Sequence, residues 1–348
     1  MNIDLSPIDR RKVKNLGEVL EMNNEVLGLM SRYLTVCPDF ITKELIEGIT
    51  GECEITLAEA YTSLLVAACG LDVENNPRDR YLSTAYLRSG IRRLDPQEYR
   101  MNPYYRQIRI PEAHFGNWKL TIEKYKPYEA FVCDDIRTDE ELKEIPQIGF
   151  FDTEFSFPAV MEDGQEWMAI KPNEIETMRQ PIARAAGQVV AFGLGMGYYA
   201  FMVSEKPEVK TLTIVERDEN VIALFREHIL PQFPKKEMID IVRQDCMSDG
   251  YYDHAFVDLW HDVSDGYPLY KQMKALEKNS PNTLFSYWIE DSLLSHLRWE
   301  LFHRMSDLLS ATAPAGEPVI LRPVYTYEQF VACLRNPFLR KLAGTGLL

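Results

Sequence analysis

The sequence predicts an α/β protein in which a doubly wound, mainly parallel sheet follows a mainly helical N-terminal domain. Before about residue 145, apolar residues recur at three- and four-residue spacing, as in amphipathic helices. From Gln188 onward, short apolar runs typical of buried strands alternate with helical patterns, as in parallel sheets with covering helices. We therefore expect a helical domain over 1–145, a β-hairpin connector over 146–171 and a Rossmann-like domain over 172–348.

The individual elements follow from the same patterns. In the first half, periodicity predicts helices over 18–34, 40–49 and 57–69, and two β-rich runs over 148–157 and 166–170 flank a Glu-Asp-Gly turn. In the second half, strands are expected over 189–192, 211–215, 239–242, 254–257, 283–289 and 319–321. Helices are expected after the first two of these strands, the second one capped by Asp218, and over 268–276, 291–309 and 325–334.

Composition narrows the classes of function. The 348 residues include 38 Lys and Arg against 53 Asp and Glu, a net charge of −15, which disfavours a nucleic-acid partner. No apolar run approaches the length of a membrane span and the N-terminus has no apolar signal region, so we expect a soluble, cytoplasmic protein. The cysteines lie 16 or more residues apart, so we expect reduced thiols and no metal site. A homodimer is left open.

One stretch runs against the overall charge. Residues 78–119 hold nine Lys and Arg, Arg92 and Arg93 among them, against four acids. These arginines could pair with the acidic remainder of the protein on a helical surface. Alternatively, they could line a pocket for an anionic acceptor, because guanidinium groups bind carboxylate and phosphate bidentately.

A glycine loop introduces the chemistry. Gly193, Gly195 and Gly197 lie between a predicted buried strand and a helix, where backbone can approach a ligand closely. Glu216 ends the next strand, 23 residues after Gly193, where an acid can accept hydrogen bonds from ribose hydroxyls. Asp245 ends the third strand in a corresponding position. These five residues predict a nucleoside-containing cofactor.

The spacing of the glycines indicates which cofactor. A dinucleotide fingerprint needs a sixth-position glycine, but Tyr198 stands there. The G-x-G-x-G spacing instead resembles motif I of the class I S-adenosylmethionine-dependent methyltransferases, over roughly residues 170–323. The resemblance implies that S-adenosylmethionine is the cofactor, that Glu216 holds its ribose and that Asp245 contacts its adenine.

Within that superfamily, the chain is most similar to the spermidine-synthase-like branch. The segment 171–178, Lys-Pro-Asn-Glu-Ile-Glu-Thr-Met, resembles the acidic helix entry of that branch, and a hairpin precedes it. Asn173 with Glu176 reads equally well as a helix cap, which leaves a ligand role for Glu174 open. The branch's Asp-rich cluster after the fourth strand is replaced here by residues 258–262, Asp-Leu-Trp-His-Asp, which speaks against aminopropyl transfer.

That last run supplies the catalytic candidates. Asp258 follows a strand end and should also contact the cofactor, and His261, three residues later, is of the residue type that most often serves as a general base. Trp288 and Glu290 could meet a cationic group. The predicted function is methyl transfer to a small-molecule acceptor. The alternatives are aminopropyl or aminocarboxypropyl transfer, or S-adenosylmethionine binding without catalysis.

Overall fold

The computed structural model describes residues 3–52, 54–243, 251–310 and 323–345. Its helices are α1 (Pro7–Val36), α2 (Lys43–Glu52), α3 (Leu57–Ala68), α4 (Pro77–Leu82), α5 (Arg88–Gly90), α6 (Pro96–Arg100), α7 (Pro103–Gln107), α8 (Pro172–Arg184), α9 (Tyr198–Ser204), α10 (Glu219–Leu224), α11 (Val263–Glu277), α12 (Glu290–Leu309), α13 (Tyr327–Leu334) and α14 (Asn336–Ala343). Within these ranges, no helix is both long and apolar enough to cross a bilayer.

The strands form four sheets. They are β1 (Ile91–Arg93), β2 (Ala113–Phe115), β3 (Trp118–Tyr125), β4 (Phe131–Val132), β5 (Arg137–Thr138), β6 (Glu144–Ile145), β7 (Ile148–Phe150), β8 (Phe155–Glu162), β9 (Gln165–Ala169), β10 (Gly187–Phe192), β11 (Val209–Glu216), β12 (Ile239–Arg243), β13 (His254–Val257) and β14 (Leu284–Tyr287). The small sheets β1-β7-β4 and β5-β6 complete the N-terminal half.

The predicted α/β architecture of the second half is confirmed. Five strands form an all-parallel sheet in the order β12-β11-β10-β13-β14. The chain starts at the central strand β10, builds outward to β12 and then returns to β13 on the other side. Because all five strands are parallel, the loops after β10, β11 and β13 lie at the same edge of the sheet. The reversal of chain order next to β10 marks the part of that edge where α/β proteins bind ligands. The strand predicted over 319–321 lies outside the described residues.

The region predicted as mainly helical also contains an antiparallel sheet. The predicted hairpin forms as β8 and β9, but β3 pairs with β8 along eight residues and β2 extends the sheet further. In β3 the buried Trp118 and Leu120 flank the partly exposed Lys119, which is strand-like alternation that a search for helical spacing does not detect. The run predicted over 148–157 divides into two strands, β7 and β8.

Capping residues explain where the helices begin. Helix α1 starts well before the predicted position because the Ser6 side chain accepts a hydrogen bond from the backbone N–H of Asp9. Helix α11 starts five residues before the predicted Pro268, at a capping box made by Asp262 and Asp265. Asp218 caps α10 as predicted, accepting from the N–H groups of Asn220 and Val221.

Two hydrophobic cores meet along α1. The larger core covers the parallel sheet and includes Leu16 and Leu20 from the first part of α1. The smaller core lies in the N-terminal half and includes Val26 and Met30 from the second part. Since one continuous helix contributes to both cores, it joins the N-terminal elements to the parallel-sheet domain.

Candidate functional site

A cavity of about 450 Å³ lies at the carboxyl edge of the parallel sheet. Its walls come from the loops after β10, β11 and β13, from strand β9 of the antiparallel sheet, and from the start of α8. The lining residues are Trp118, Glu162, Glu166, Trp167, Met168, Ala169, Lys171, Asn173, Glu174, Phe192, Gly193, Leu194, Gly195, Val215, Glu216, Arg217, Asp218, Val221, Asp258, Leu259, Trp260, His261, Leu269 and Trp288. The cavity therefore brings together five sequence-predicted site residues: Gly193, Gly195, Glu216, Asp258 and His261.

The three glycines of the loop have different tasks. All adopt positive φ, at 99° for Gly193, 50° for Gly195 and 72° for Gly197. A Cβ on Gly193 would lie 1.9 Å from the backbone oxygen of Asp258, so only glycine allows these two loops to approach so closely. Gly197 does not line the cavity; it precedes α9, and a Cβ there would meet the ring of Phe225 at 2.3 Å. Its role is packing of the helix entry.

Strand β9 covers the glycine loop with a sulfur atom. The Met168 thioether accepts a hydrogen bond from the backbone N–H of Met196 at 3.2 Å, and it would lie 2.1 Å from a Cβ on Gly195. The antiparallel sheet thus forms one wall of the cavity. Sequence reasoning identified the hairpin but not the contact of Met168 with the loop, because pairing of distant segments leaves no local signal.

Glu216 is fixed by backbone amides. Its Oε2 accepts from the N–H of Leu194 at 3.1 Å, and its Oε1 accepts from the N–H groups of Arg217 at 2.7 Å and Asp218 at 2.9 Å. The carboxylate therefore ties the end of β11 to the glycine loop. A carboxylate has about four acceptor positions. Three bonds leave room for about one more, from a ligand hydroxyl.

Asp258 and Glu174 form an acidic pair in the cavity wall. Burial, together with the negative charge of Glu216, raises the pKa of Asp258 to about 7. Burial also raises the pKa of Glu174 well above its ordinary value, the charge of Asp258 adds to the rise, and Lys171 opposes it. Glu174 is 6% exposed, and its Oε2 has no hydrogen-bond partner among the described residues. Such an oxygen is suited to a donor supplied by a ligand.

His261 is held in one orientation. Its Nδ1 lies 3.0 Å from Oδ2 of Asp265, and the ring of Trp167 contacts it edge-on with the ring centroids 3.8 Å apart. Asp265 also accepts from the backbone N–H of His261. This arrangement leaves Nε2 for a reacting proton, which is how an oriented histidine base is built. The sequence did not identify Asp265, because its role depends on the position where α11 begins and on the contact with His261 that this position creates.

The start of α8 differs from the helix cap that Asn173 and Glu176 were predicted to form, and it places Asn173 in the cavity wall. Asn173 and Glu176 do not form a cap: the N-cap position is Lys171, without a side-chain bond, and Pro172 follows it. Glu176 instead accepts from the Tyr99 hydroxyl at 3.1 Å. Asn173 lines the cavity, and its buried Oδ1 has no partner within the described part of the chain.

Several other candidates lie away from the cavity. Glu290 accepts from the Tyr270 hydroxyl and from Arg340, both at 2.8 Å. Arg93 pairs with Asp152, and Arg92 lies 3.9 Å from Asp134. None of the nine basic residues of 78–119 lines the cavity. These contacts favour the first interpretation of the basic stretch, in which its arginines pair with nearby acids.

The charge of the cavity is negative. Among the described lining residues, four acids (Glu162, Glu166, Glu216 and Asp218) face two cations (Lys171 and Arg217). Glu174 and Asp258, whose pKa values are raised by burial, add to the negative charge only in part. Lys171 is itself paired with Glu166 at 2.5 Å. Trp260 and Trp288, both buried, also line the cavity. The site is therefore complementary to a cationic ligand.

Asp245, the predicted contact of the adenine, lies outside the described residues, so its position relative to the cavity is not described.

Comparison with known proteins does not identify a family for this chain. No protein-family model matches the chain, and no curated protein matches it significantly.

Proposed function

We propose that this protein binds S-adenosylmethionine in the acidic cavity and transfers the methyl group to a small-molecule acceptor. The observation that carries the proposal is the convergence of Gly193, Gly195, Glu216 and Asp258 on one cavity at the carboxyl edge of a parallel sheet. An open α/β sheet binds its ligand at that edge, beside the strand where the chain order reverses.

The residues of the cavity fit the proposed cofactor. The remaining acceptor position of Glu216 suits a ribose hydroxyl, and the unpartnered Oε2 of Glu174 suits an ammonium group. When bound, S-adenosylmethionine supplies a methyl group on a positively charged sulfur. Asp258 would provide a compensating negative charge in the wall, because a bound cation favours its ionised form.

His261 is the candidate base. An acceptor that arrives protonated must lose its proton before its lone pair can attack, and an imidazole suits this near neutral pH. Asp265 holds Nδ1, so Nε2 is the nitrogen that would take the proton. Positioning in the cavity supplies the rest of the catalysis, because methyl transfer is an in-line displacement.

A second candidate is an aminopropyl or aminocarboxypropyl transfer. The buried Glu174 favours it, because its Oε2, which has no hydrogen-bond partner in the described part of the chain, could hold the amine of a polyamine-like acceptor. Chromatography of the products separates the two reactions. S-Adenosylhomocysteine is the product of methyl transfer. Methylthioadenosine marks aminocarboxypropyl transfer from S-adenosylmethionine, or aminopropyl transfer when the decarboxylated form is supplied as the donor.

Calorimetry with S-adenosylhomocysteine tests the cofactor proposal directly. Substituting Glu216→Gln removes a charge-assisted bond to the ribose, so we expect the affinity to fall by about tenfold or more. Glu208→Gln is the matched control, because Glu208 is exposed and precedes the opposite end of the same strand, β11. Equal affinity in both variants would remove Glu216 from the site. Tight binding of NAD by the unmodified protein would overturn the cofactor assignment.

A further inference from the structure

A second cavity adjoins the first. It has a volume of about 600 Å³ and shares Lys171, Asn173, His261 and Trp288 with the acidic cavity. We call it the outer chamber. Since the same four side chains line both spaces, a ligand in the outer chamber would reach the junction beside His261 without crossing another element.

One wall of the outer chamber is an apolar stripe of α1. Leu27, Met30 and Leu34 recur at three- and four-residue spacing and so lie on one helix face. Phe131 and Ile148 from β4 and β7 face the same space. This wall accommodates a hydrocarbon body, because burial of apolar surface against it is favourable.

The rest of the chamber is acidic. Glu129, Asp134, Asp135 and Asp262 line it, whereas Lys171 is the one lysine or arginine among its described lining residues and is already paired with Glu166. Asp135 accepts from the N–H groups of Asp291 and Ser292 at the start of α12, and burial raises its pKa to about 7, so it adds only part of a charge near neutral pH. Asp262 caps α11, Asp134 lies 3.9 Å from Arg92, and Glu129 accepts from the backbone N–H of Lys126. These carboxylates are therefore partly engaged, but their excess over Lys171 still gives the lining a negative charge.

The junction offers a hydrogen-bond acceptor. The buried Oδ1 of Asn173 has no partner within the described residues and lines both cavities. An amide oxygen in this state is suited to an N–H donor and not to a carboxylate. Three independent features, the apolar stripe, the acidic lining and the unpartnered Asn173 oxygen, thus describe one type of molecule.

We infer that the outer chamber binds the acceptor and that this acceptor is an amine with an apolar body. Its nitrogen lies at the junction near Asn173 and His261, and its hydrocarbon part lies against Leu27 and Leu34 of α1. The amine is the acceptor only if the proposed methyl transfer is correct, so this part of the inference rests on the proposed function. Binding of an amine in the outer chamber can be tested without turnover. It also replaces the anionic acceptor that the basic stretch had suggested as an alternative.

Calorimetry with simple alkylamines tests the chamber in the full-length protein. Butylamine, hexylamine and octylamine should bind with increasing affinity, by up to about fourfold for each buried methylene group. Octanoate has the same apolar body with the opposite charge and should not bind measurably. 1,8-Diaminooctane should bind more weakly than octylamine, because its second ammonium group would face the apolar wall.

A pair of variants on one helix locates the site. Leu27→Lys places a positive charge in the apolar wall, so octylamine affinity should fall by about tenfold or more. Val36→Lys makes the same change at an exposed residue of α1, 73% accessible and outside the chamber, and should leave the affinity unchanged. Binding of S-adenosylhomocysteine, measured in parallel, should be the same in both variants.

The outcomes separate the two proposals. If S-adenosylhomocysteine binds but octylamine does not, or if octanoate or 1,8-diaminooctane binds as well as octylamine, the outer-chamber inference is wrong and the cofactor proposal stands. If octylamine affinity falls equally in Leu27→Lys and Val36→Lys, the amine binds elsewhere and the inference is also wrong. If octylamine binds as described while no S-adenosyl compound does, the chamber is supported and the cofactor proposal fails.

Discussion

At the scale of a single residue, Asp258 has two roles: its backbone continues the parallel sheet and its side chain lines the cavity. It stands beside the central strand, where its backbone N–H donates to the Phe192 oxygen at 2.8 Å and so continues the sheet. Its carboxyl group faces the cavity, where burial and the charge of Glu216 raise its pKa to about 7. Near neutral pH the group is therefore only partly ionised, and a bound cation would favour the ionised form.

This leads to a pH-dependent preference between two ligands. S-Adenosylmethionine carries a sulfonium charge that S-adenosylhomocysteine lacks, while the other charges of the two molecules match. Because a carboxyl with a raised pKa becomes ionised only as the pH rises through about 7, the preference for the sulfonium should grow between pH 6 and pH 8. We expect the dissociation constant of S-adenosylhomocysteine divided by that of S-adenosylmethionine to increase several-fold over this range. For one proton the increase is at most about tenfold per pH unit.

The variant Asp258→Asn provides the control for that experiment. An amide of the same shape does not ionise in this range, so the ratio should become nearly flat with pH while both ligands still bind. If the ratio in the unmodified protein is already flat, Asp258 does not sense the sulfonium. If it rises equally in Asp258→Asn, another group, with Glu174 the first to test, is responsible.

At the residue scale, the sequence predicts those site residues whose positions are determined by the ends of strands. Glu216 ends β11 and Asp258 directly follows β13, so their meeting at one edge of the parallel sheet could be predicted from the order of elements. Met168 could not be predicted, because it acts through a contact with the backbone of the glycine loop. Asp265 could not be predicted either, because its contact with His261 depends on where α11 begins. Gly197 satisfied the motif but serves the packing of α9.

At the scale of elements, the glycine loop shows why two strand ends can lie so close together. Gly193 donates to the Val215 oxygen at 2.9 Å, and its Cα faces the Asp258 backbone oxygen. A side chain there would have to displace backbone rather than a flexible group. The loop geometry is thus maintained by the absence of one methyl group.

Gly193→Ala should consequently destabilise the protein far more than an ordinary glycine substitution. Gly70 is the matched control, because it has φ +78° but nothing within 4 Å of its missing Cβ. Gly70→Ala carries only the cost of the left-handed backbone, about 1–2 kcal/mol. Gly193→Ala adds a backbone clash, and we expect a total loss of about 3 kcal/mol or more. Thermal unfolding of both variants measures the difference, and equal melting temperatures would contradict so close an approach of the two loops.

Element prediction succeeded where the pattern was locally strong. Val189–Phe192 of β10 and all four residues of β13 are buried, so these central strands read as largely apolar runs, and β13 was found with its observed bounds. Strand β3 was missed because its pattern, with an exposed Ile122 and several charged residues, only makes sense against its partner β8. The small sheets of two- and three-residue strands carry too little sequence to be recognised.

At the scale of the whole molecule, Arg298 connects elements that are far apart in sequence. It is fully buried in α12, pairs with Glu144 of β6 and donates to the Leu334 oxygen at 2.9 Å and to Oδ1 of Asn336 at 2.5 Å. Burial lowers its pKa to about 10, which still leaves it charged at neutral pH. This one side chain therefore joins the N-terminal half to α12 and to the two C-terminal helices.

The last prediction concerns that buried connection. Arg298→Met removes the cation and leaves the carboxylate of Glu144, which is 2% exposed, with the Ser295 hydroxyl at 2.6 Å as its one remaining side-chain donor among the described residues. An unpaired buried charge of this kind costs about 3–5 kcal/mol. In the double variant Arg298→Met/Glu144→Leu no charge is left, so we expect much of the lost stability to return, as measured by the melting temperature. If the double variant melts no higher than Arg298→Met, the damage comes from the lost contacts of Arg298 with Leu334 and Asn336. The guanidinium would then hold the C-terminal helices in place chiefly through neutral hydrogen-bond acceptors, and the ion pair would contribute little to joining the two halves.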